Sequence, residues 1–128
     1  MEGIRLLLAD DEEDFRTTLA RRLRKRRLEV TDVEDGYKAV DVVGSEPIDV
    51  AVVDVKMPGM DGLEALKRIK QINPLIEVIL LTGHASVESG IEGMRLGAFD
   101  YLMKPCNIDE LMLKIEDAYQ RKLVQEKV

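Results

Sequence analysis

Residues 6–14 read LLLADDEED: four apolar side chains run straight into five carboxylates, with no basic residue among them. An uninterrupted Leu/Ala run that stops so sharply suits a strand buried on both faces of a parallel sheet. The acids behind it are harder to explain. Crowded carboxylates repel one another, and each resists ionisation once its neighbour is charged. Such a cluster at a strand end asks for a positive partner, and none lies within it.

Apolar runs of strand length recur at residues 4–9, 28–33, 50–53, 78–81 and 99–103. Between them, helical spacing places Phe15, Leu19 and Leu23 on one face, Leu63, Leu66, Ile69 and Ile72 on a second, and Leu111, Ile115 and Ala118 on a third. Asp61 precedes Glu64 by three residues, as Asn107 precedes Glu110, a spacing that predicts helix starts at both places. Strand and helix alternate five times. That order predicts an α/β fold, a doubly wound five-stranded parallel sheet with right-handed crossovers and helices on both faces. Ligands of such sheets bind at the carboxyl ends of the strands.

A chain of 128 residues with 45% hydrophobic and 34% charged side chains makes one ordinary globular domain. Its net charge of −6 disfavours direct nucleic-acid binding. Cys106 stands alone, so no internal disulfide forms, no Cys/His cluster offers zinc a home, and the thiol reads as core filler. The amino terminus resembles neither a signal peptide nor a membrane span, which predicts a cytoplasmic protein with no membrane contact. Residues 1–121 are expected to form the domain, with 122–128 a helix end or the start of a linker.

The polar residues that follow the strands should meet at one sheet edge: Asp10 and Asp11, Asp54, Thr82, and Lys104 with Pro105. Three carboxylates, a hydroxyl and an ammonium in one pocket suggest that the missing positive charge is a metal ion. Oxygen-only ligands select a hard cation, and Mg²⁺ needs only one or two carboxylates beside its waters, though calcium or manganese could substitute. Such a site suits phosphoryl chemistry, with Asp54 the nucleophile, Asp10 and Asp11 holding metal, and Thr82 and Lys104 contacting phosphoryl oxygens. Each residue alone has a plainer role as a helix cap, a strand end or a loop lysine; their joint placement on one edge favours the site.

The stretches LLLADDEED, VVDVKMPGMDGLEAL, ILLTGHAS and GAFDYLMKP resemble the receiver domains of two-component response regulators over nearly the whole chain. That resemblance implies the flavodoxin-like strand order 2-1-3-4-5 and a phosphorylation-dependent switch. Asp54 would take its phosphoryl group from a sensor histidine kinase or phosphotransfer protein. Asp11 would bind Mg²⁺ directly, Asp10 through water, and Lys56 by its backbone carbonyl, with Glu12 in a supporting place or acting as a helix-start charge. Tyr101 would be the aromatic that moves on activation and Pro105 a cis-proline that aims Lys104. Lys56 and His84, each two residues beyond a site residue, would tune the lifetime of the phosphorylated form. A receiver is not an enzyme beyond catalysing its own phosphorylation and dephosphorylation. Its fourth helix, fifth strand and fifth helix would carry the signal and offer a homodimer surface.

Gly90 and Gly93 fall within the expected fourth helix, each costing about 1 kcal/mol relative to alanine, so that helix is marginal or the glycines permit close packing. Arg21, Arg22, Arg24, Lys25, Arg26 and Arg27 form a basic run that reads as the solvated carboxyl end of the first helix, with a kinase contact the second choice. Three rival functions share parts of the pattern. A magnesium phosphohydrolase would want an Asp or Thr two residues after Asp54, where Lys56 stands, and a substrate cap. A flavodoxin-like cofactor binder would want a Ser/Thr/Gly-rich loop after the first strand. A structural adaptor would need none of Asp54, Thr82 and Lys104. The run at residues 82–105 is similar to receivers attached to transcription activators.

Overall fold

Each buried apolar run becomes a strand and each amphipathic segment a helix in the computed structural model, which describes residues 3–83 and 87–128. The order is β1 (Arg5–Ala9), α1 (Glu13–Lys25), β2 (Glu29–Val33), α2 (Gly36–Ser45), β3 (Val50–Asp54), α3 (Gly62–Ile72), β4 (Glu77–Thr82), α4 (Val87–Arg95), β5 (Asp100–Met103) and α5 (Ile108–Glu126). The strands pair in parallel in the order β2-β1-β3-β4-β5, as expected.

β3 and β4 are buried along their whole lengths, because helices cover both faces. Alternate strand residues therefore feed two cores. Leu6, Leu8, Val50, Val52, Ile79 and Leu81 pack under α1 and α5. Leu7, Ala51, Val53, Val78 and Leu80 pack under α2 and α3. Asp61 caps α3 by accepting from the Glu64 amide, and Asn107 caps α5 by accepting from the amides of Asp109 and Glu110. The Glu64 side chain does not reach back to complete a reciprocal cap; it accepts from Arg68 one turn on. Ile72, at the end of the predicted apolar face of α3, is 46% exposed.

The two α4 glycines both sit where a side chain would intrude. A Cβ at Gly93 would lie 2.1 Å from Leu80 Cδ1, and one at Gly90 3.1 Å from the Tyr101 ring. Close packing accounts for both. The carboxyl end of α1 carries the basic run as a solvent-facing surface, with Arg24 paired to Asp32 and Arg26 to Asp109. No helix among the described residues is long and apolar enough to cross a membrane.

Candidate functional site

The carboxyl ends of β1, β3 and β5 converge on a cleft of about 510 Å³ lined by Asp11, Glu12, Asp54, Lys56, Lys104 and Pro105, among others. Parallel pairing explains the convergence. β1 and β3 run in register from Leu6 opposite Val50 to Ala9 opposite Val53, so Asp10 and Asp54 both follow matched positions. Asp54 is 4% exposed and Asp10 fully buried.

No basic residue lies within the acidic run, and the ammonium that meets its carboxylates comes from 92 residues beyond Glu12. Lys104 Nζ lies 2.8 Å from Glu12 Oε1, 2.9 Å from Asp10 Oδ2 and 3.6 Å from Asp54 Oδ2. Its ammonium also rests 4.5 Å above the centroid of the Phe15 ring. The Lys104–Pro105 bond is cis. Lys104 is thus one ammonium in contact with three carboxylates, and that group of four side chains carries net negative charge.

The electrostatics follow from that imbalance. Burial, then the charge of Asp10, push the Asp54 carboxyl up to about 6, against the pull of Lys104 and a hydrogen bond with the Lys56 backbone. Burial also raises Asp10, although Lys104 and the Glu12 amide, which donates to Asp10 Oδ1 at 2.8 Å, work the other way. Burial works to lower Lys104, but its contacts with Glu12 and Asp10 outweigh this and raise it, so the ammonium stays charged.

Ligand atoms of Asp10, Glu12 and Asp54 all lie within 4.8 Å of one another, close enough to share an ion. Asp10 Oδ2 is buried and faces the Lys104 ammonium at 2.9 Å without a well-directed hydrogen bond. Hard oxygen donors with an unsatisfied lone pair fit a divalent cation such as Mg²⁺. Asp11 is exposed and lines the cleft. Glu12, which the sequence ranks behind its neighbours, is thus brought into the carboxylate group; its position three side chains beyond the end of β1 was the available signal.

The remaining candidates divide. Lys56 is exposed and lines the cleft as well as a neighbouring one shared with Asp11 and Asp61. Thr82 is fully buried and does not line the cleft; its hydroxyl donates to Met103 Sδ at 3.3 Å. Tyr101 is half-buried beside Gly90. His84 lies outside the described residues. Cys106 is half-buried against the core, and burial raises its thiol, which suits packing rather than reactivity.

Known proteins resemble this chain in sequence and fold. A family model described as the response regulator receiver domain matches residues 6–116. The DNA-binding transcriptional regulator NtrC of Escherichia coli K12 is 40% identical over 111 residues, covering 87% of this chain and 24% of that protein. The chain therefore spans about a quarter of the length of the curated relatives it matches. Two solved structures superpose closely. The Francisella response regulator 1452 receiver domain has a TM-score of 0.85 at 33% identity, covering 93% of this chain and 98% of that one. A receiver domain protein from Clostridium thermocellum has a TM-score of 0.90 at 32% identity, covering 94% and 98%. With five parallel strands in the order β2-β1-β3-β4-β5 and an acidic cleft at their carboxyl ends, the chain belongs to the response regulator receiver domain family of two-component signalling.

Proposed function

We propose that Asp54 accepts a phosphoryl group and that the chain thereby switches between two surfaces. The observation that carries this reading is the setting of the Asp54 carboxylate: almost buried, 3.6 Å from the Lys104 ammonium, grouped with Asp10 and Glu12, and open to a cleft. In the reaction an Asp54 carboxylate oxygen attacks phosphorus, the P–N bond of the donor's phosphohistidine breaks, and the imidazole leaves with the electron pair and takes up a proton. The product is an acyl phosphate. Lys104 pairs with one phosphoryl oxygen and Thr82 donates to another. Asp10, Asp11 and Asp54, with the Lys56 carbonyl and Glu12 nearby, would hold Mg²⁺, which neutralises charge as two anions approach. The chemistry is the domain's own modification, with no turnover of free substrate.

The donor is a sensor histidine kinase or a phosphotransfer protein. Phosphorylation adds charge, to roughly −2, and new acceptor oxygens at Asp54. Thr82 and Lys104 would be drawn toward them, and Tyr101, packed on Gly90 of α4, would follow. The face formed by α4, β5 and α5 exposes Ile91, Met94, Met103 and Leu113. That apolar content supports its use as the signalling face and as a homodimer surface. Lys56, at the rim, would tune access of water to the acyl phosphate, as would His84. Residues 1–121 act as the receiver and 122–128 as a helix end or linker start. Relatives such as NtrC are DNA-binding transcriptional regulators, which supports a transcriptional output elsewhere in a longer protein.

Incubation with acetyl phosphate and Mg²⁺ tests the reading by intact mass. One phosphate adduct is expected on the wild type and none on Asp54→Asn. Release of free phosphate from added esters without an adduct would point instead to the hydrolase.

A pH dependence follows from the raised Asp54 carboxyl. A folded-state value near 6 against an ordinary 3.8 means that this group's stabilising contribution is complete below the lower value and lost as pH rises through the upper. Without metal, Asp54→Asn should therefore stabilise the protein near neutrality by about 1–3 kcal/mol, because it removes a buried, repelled charge. Mg²⁺ competes with the proton, so its effect on Tm should grow from about pH 5 to about pH 7.5. Thermal unfolding with and without Mg²⁺ measures both. A Mg²⁺ shift that is flat with pH would contradict this account of the carboxylate.

A further inference from the structure

The Thr82 hydroxyl is buried at the end of β4, outside the cleft, and donates to a thioether sulfur 3.3 Å away. The contact is fixed by register: Thr82 stands directly opposite Met103 in the β4–β5 ladder. One residue on, the Lys104 amide donates to the Thr82 carbonyl at 2.8 Å. Met103 therefore touches one of the two groups that the functional reading assigns to the phosphoryl oxygens and directly precedes the other in the chain. Sulfur is a weak acceptor on a flexible, unbranched side chain. It satisfies a buried hydroxyl without holding it tightly.

We propose that Met103 is a positioning residue for Thr82: its sulfur is the resting acceptor that keeps the hydroxyl away from Asp54, and phosphorylation must win the hydroxyl from it. The proposal rests on the reading of Asp54 as phosphoacceptor. The exchange is favourable because a hydrogen bond to an anionic phosphoryl oxygen is roughly twice as strong as one between neutral groups. It is also small enough to reverse when the phosphoryl group leaves. A carboxylate or amide acceptor at position 103 would hold Thr82 more firmly, whereas an alkyl group would not hold it. Met103 is 37% exposed, so its side chain can be changed without opening the core. Once released, it is free to move on the outer surface beside α4 and α5, which gives the site a direct route to that face.

Two measurements decide the matter. In the unphosphorylated protein, the Met103 ε-methyl resonance in a ¹³C-methyl spectrum should shift on Thr82→Val; an unmoved resonance overturns the resting contact. Titration with beryllofluoride and Mg²⁺, a phosphoryl mimic, then reads the switch. Met103→Leu, which removes the acceptor at similar volume, should tighten apparent beryllofluoride affinity about two- to fivefold, the size of one weak hydrogen bond. Met103→Gln, which offers a stronger acceptor, should weaken it by a similar factor. Both effects should vanish in a Thr82→Val background. A packing role would move Leu and Gln in the same direction, or persist without the hydroxyl, and either result overturns the proposal. If the wild type binds no beryllofluoride, the reading of Asp54 fails, and the methyl spectrum alone decides whether the sulfur holds the hydroxyl.

Discussion

Gly62→Ala is expected to destabilise the protein by about 3–4 kcal/mol, at the upper end for an overpacked site. A Cβ at Gly62 would stand 2.2 Å from the carbonyl oxygen of Asp54, 2.7 Å from Val55 Cα and 2.9 Å from the Asp54 carbonyl carbon. All three are backbone atoms, so no side chain can turn aside. Gly62 is the first residue of α3, and its amide donates to the Val55 carbonyl at 2.7 Å, tying the helix start to the end of β3. The methyl group must push apart the turn that aims Asp54. Uptake of phosphate from acetyl phosphate should fall with it, about tenfold to a hundredfold, since a displacement near 1 Å is enough for such a loss. Gly44→Ala is the matched control. Nothing lies within 4 Å of its Cβ in α2, so there the same change should stabilise by about 0.5–1 kcal/mol. Urea midpoints that move the same way for both variants would refute this reading of Gly62.

How legible the molecule was depended on distance along the chain. β1, β3 and β4 announce themselves because burial on both faces forces unbroken apolar runs, and Asp61 and Asn107 mark helix starts because capping is local. α2 gave less: Gly36 and Gly44 interrupt its pattern, and its cap, Asp35 accepting from the Lys38 amide, lacks a glutamate three residues on. At the site, the residue types and their sheet edge could be read, because parallel strands deliver their ends to one place. Which carboxylate meets Lys104 could not. Glu12 reaches it with a long exposed side chain, a choice of rotamer that no spacing encodes. The resting partner of Thr82 was likewise hidden, since it depends on cross-strand register. Polar residues before the strands also form pairs, at the edge opposite the site: Asp49, ahead of β3, and Glu77, opening β4, are each 2% exposed.

Asp49 carries the second large effect. Its carboxylate accepts from the Arg5 amide at 2.9 Å, from the Arg5 guanidinium at 3.1 and 2.9 Å, and from Lys122 Nζ at 3.0 Å. It thus joins the start of β1 to the last turns of α5. Burial works to raise this carboxyl, but Arg5 and Lys122 outweigh it and hold it below the ordinary aspartate range. A depressed folded value means that its stabilising contribution is present above the usual 3.8 and is lost as pH falls through the lower one. Asp49→Ala should destabilise by about 3–5 kcal/mol near neutral pH, because Lys122, 8% exposed, is left buried with only part of its charge compensated by Glu126. Adding Lys122→Met should restore part of the loss, since the orphaned ammonium goes with it. Urea unfolding of the single and double variants checks the magnitudes, and an additive pair would sink the argument that the charges are coupled. Hydrogen exchange separates the two sheet edges. In Asp49→Ala the final turns of α5 should open more readily, while Asp54, at the far end of β3, should take phosphate as before. Uptake that fell in step with the loosening of α5 would mean that the ion pair beneath the sheet also sets the geometry above it.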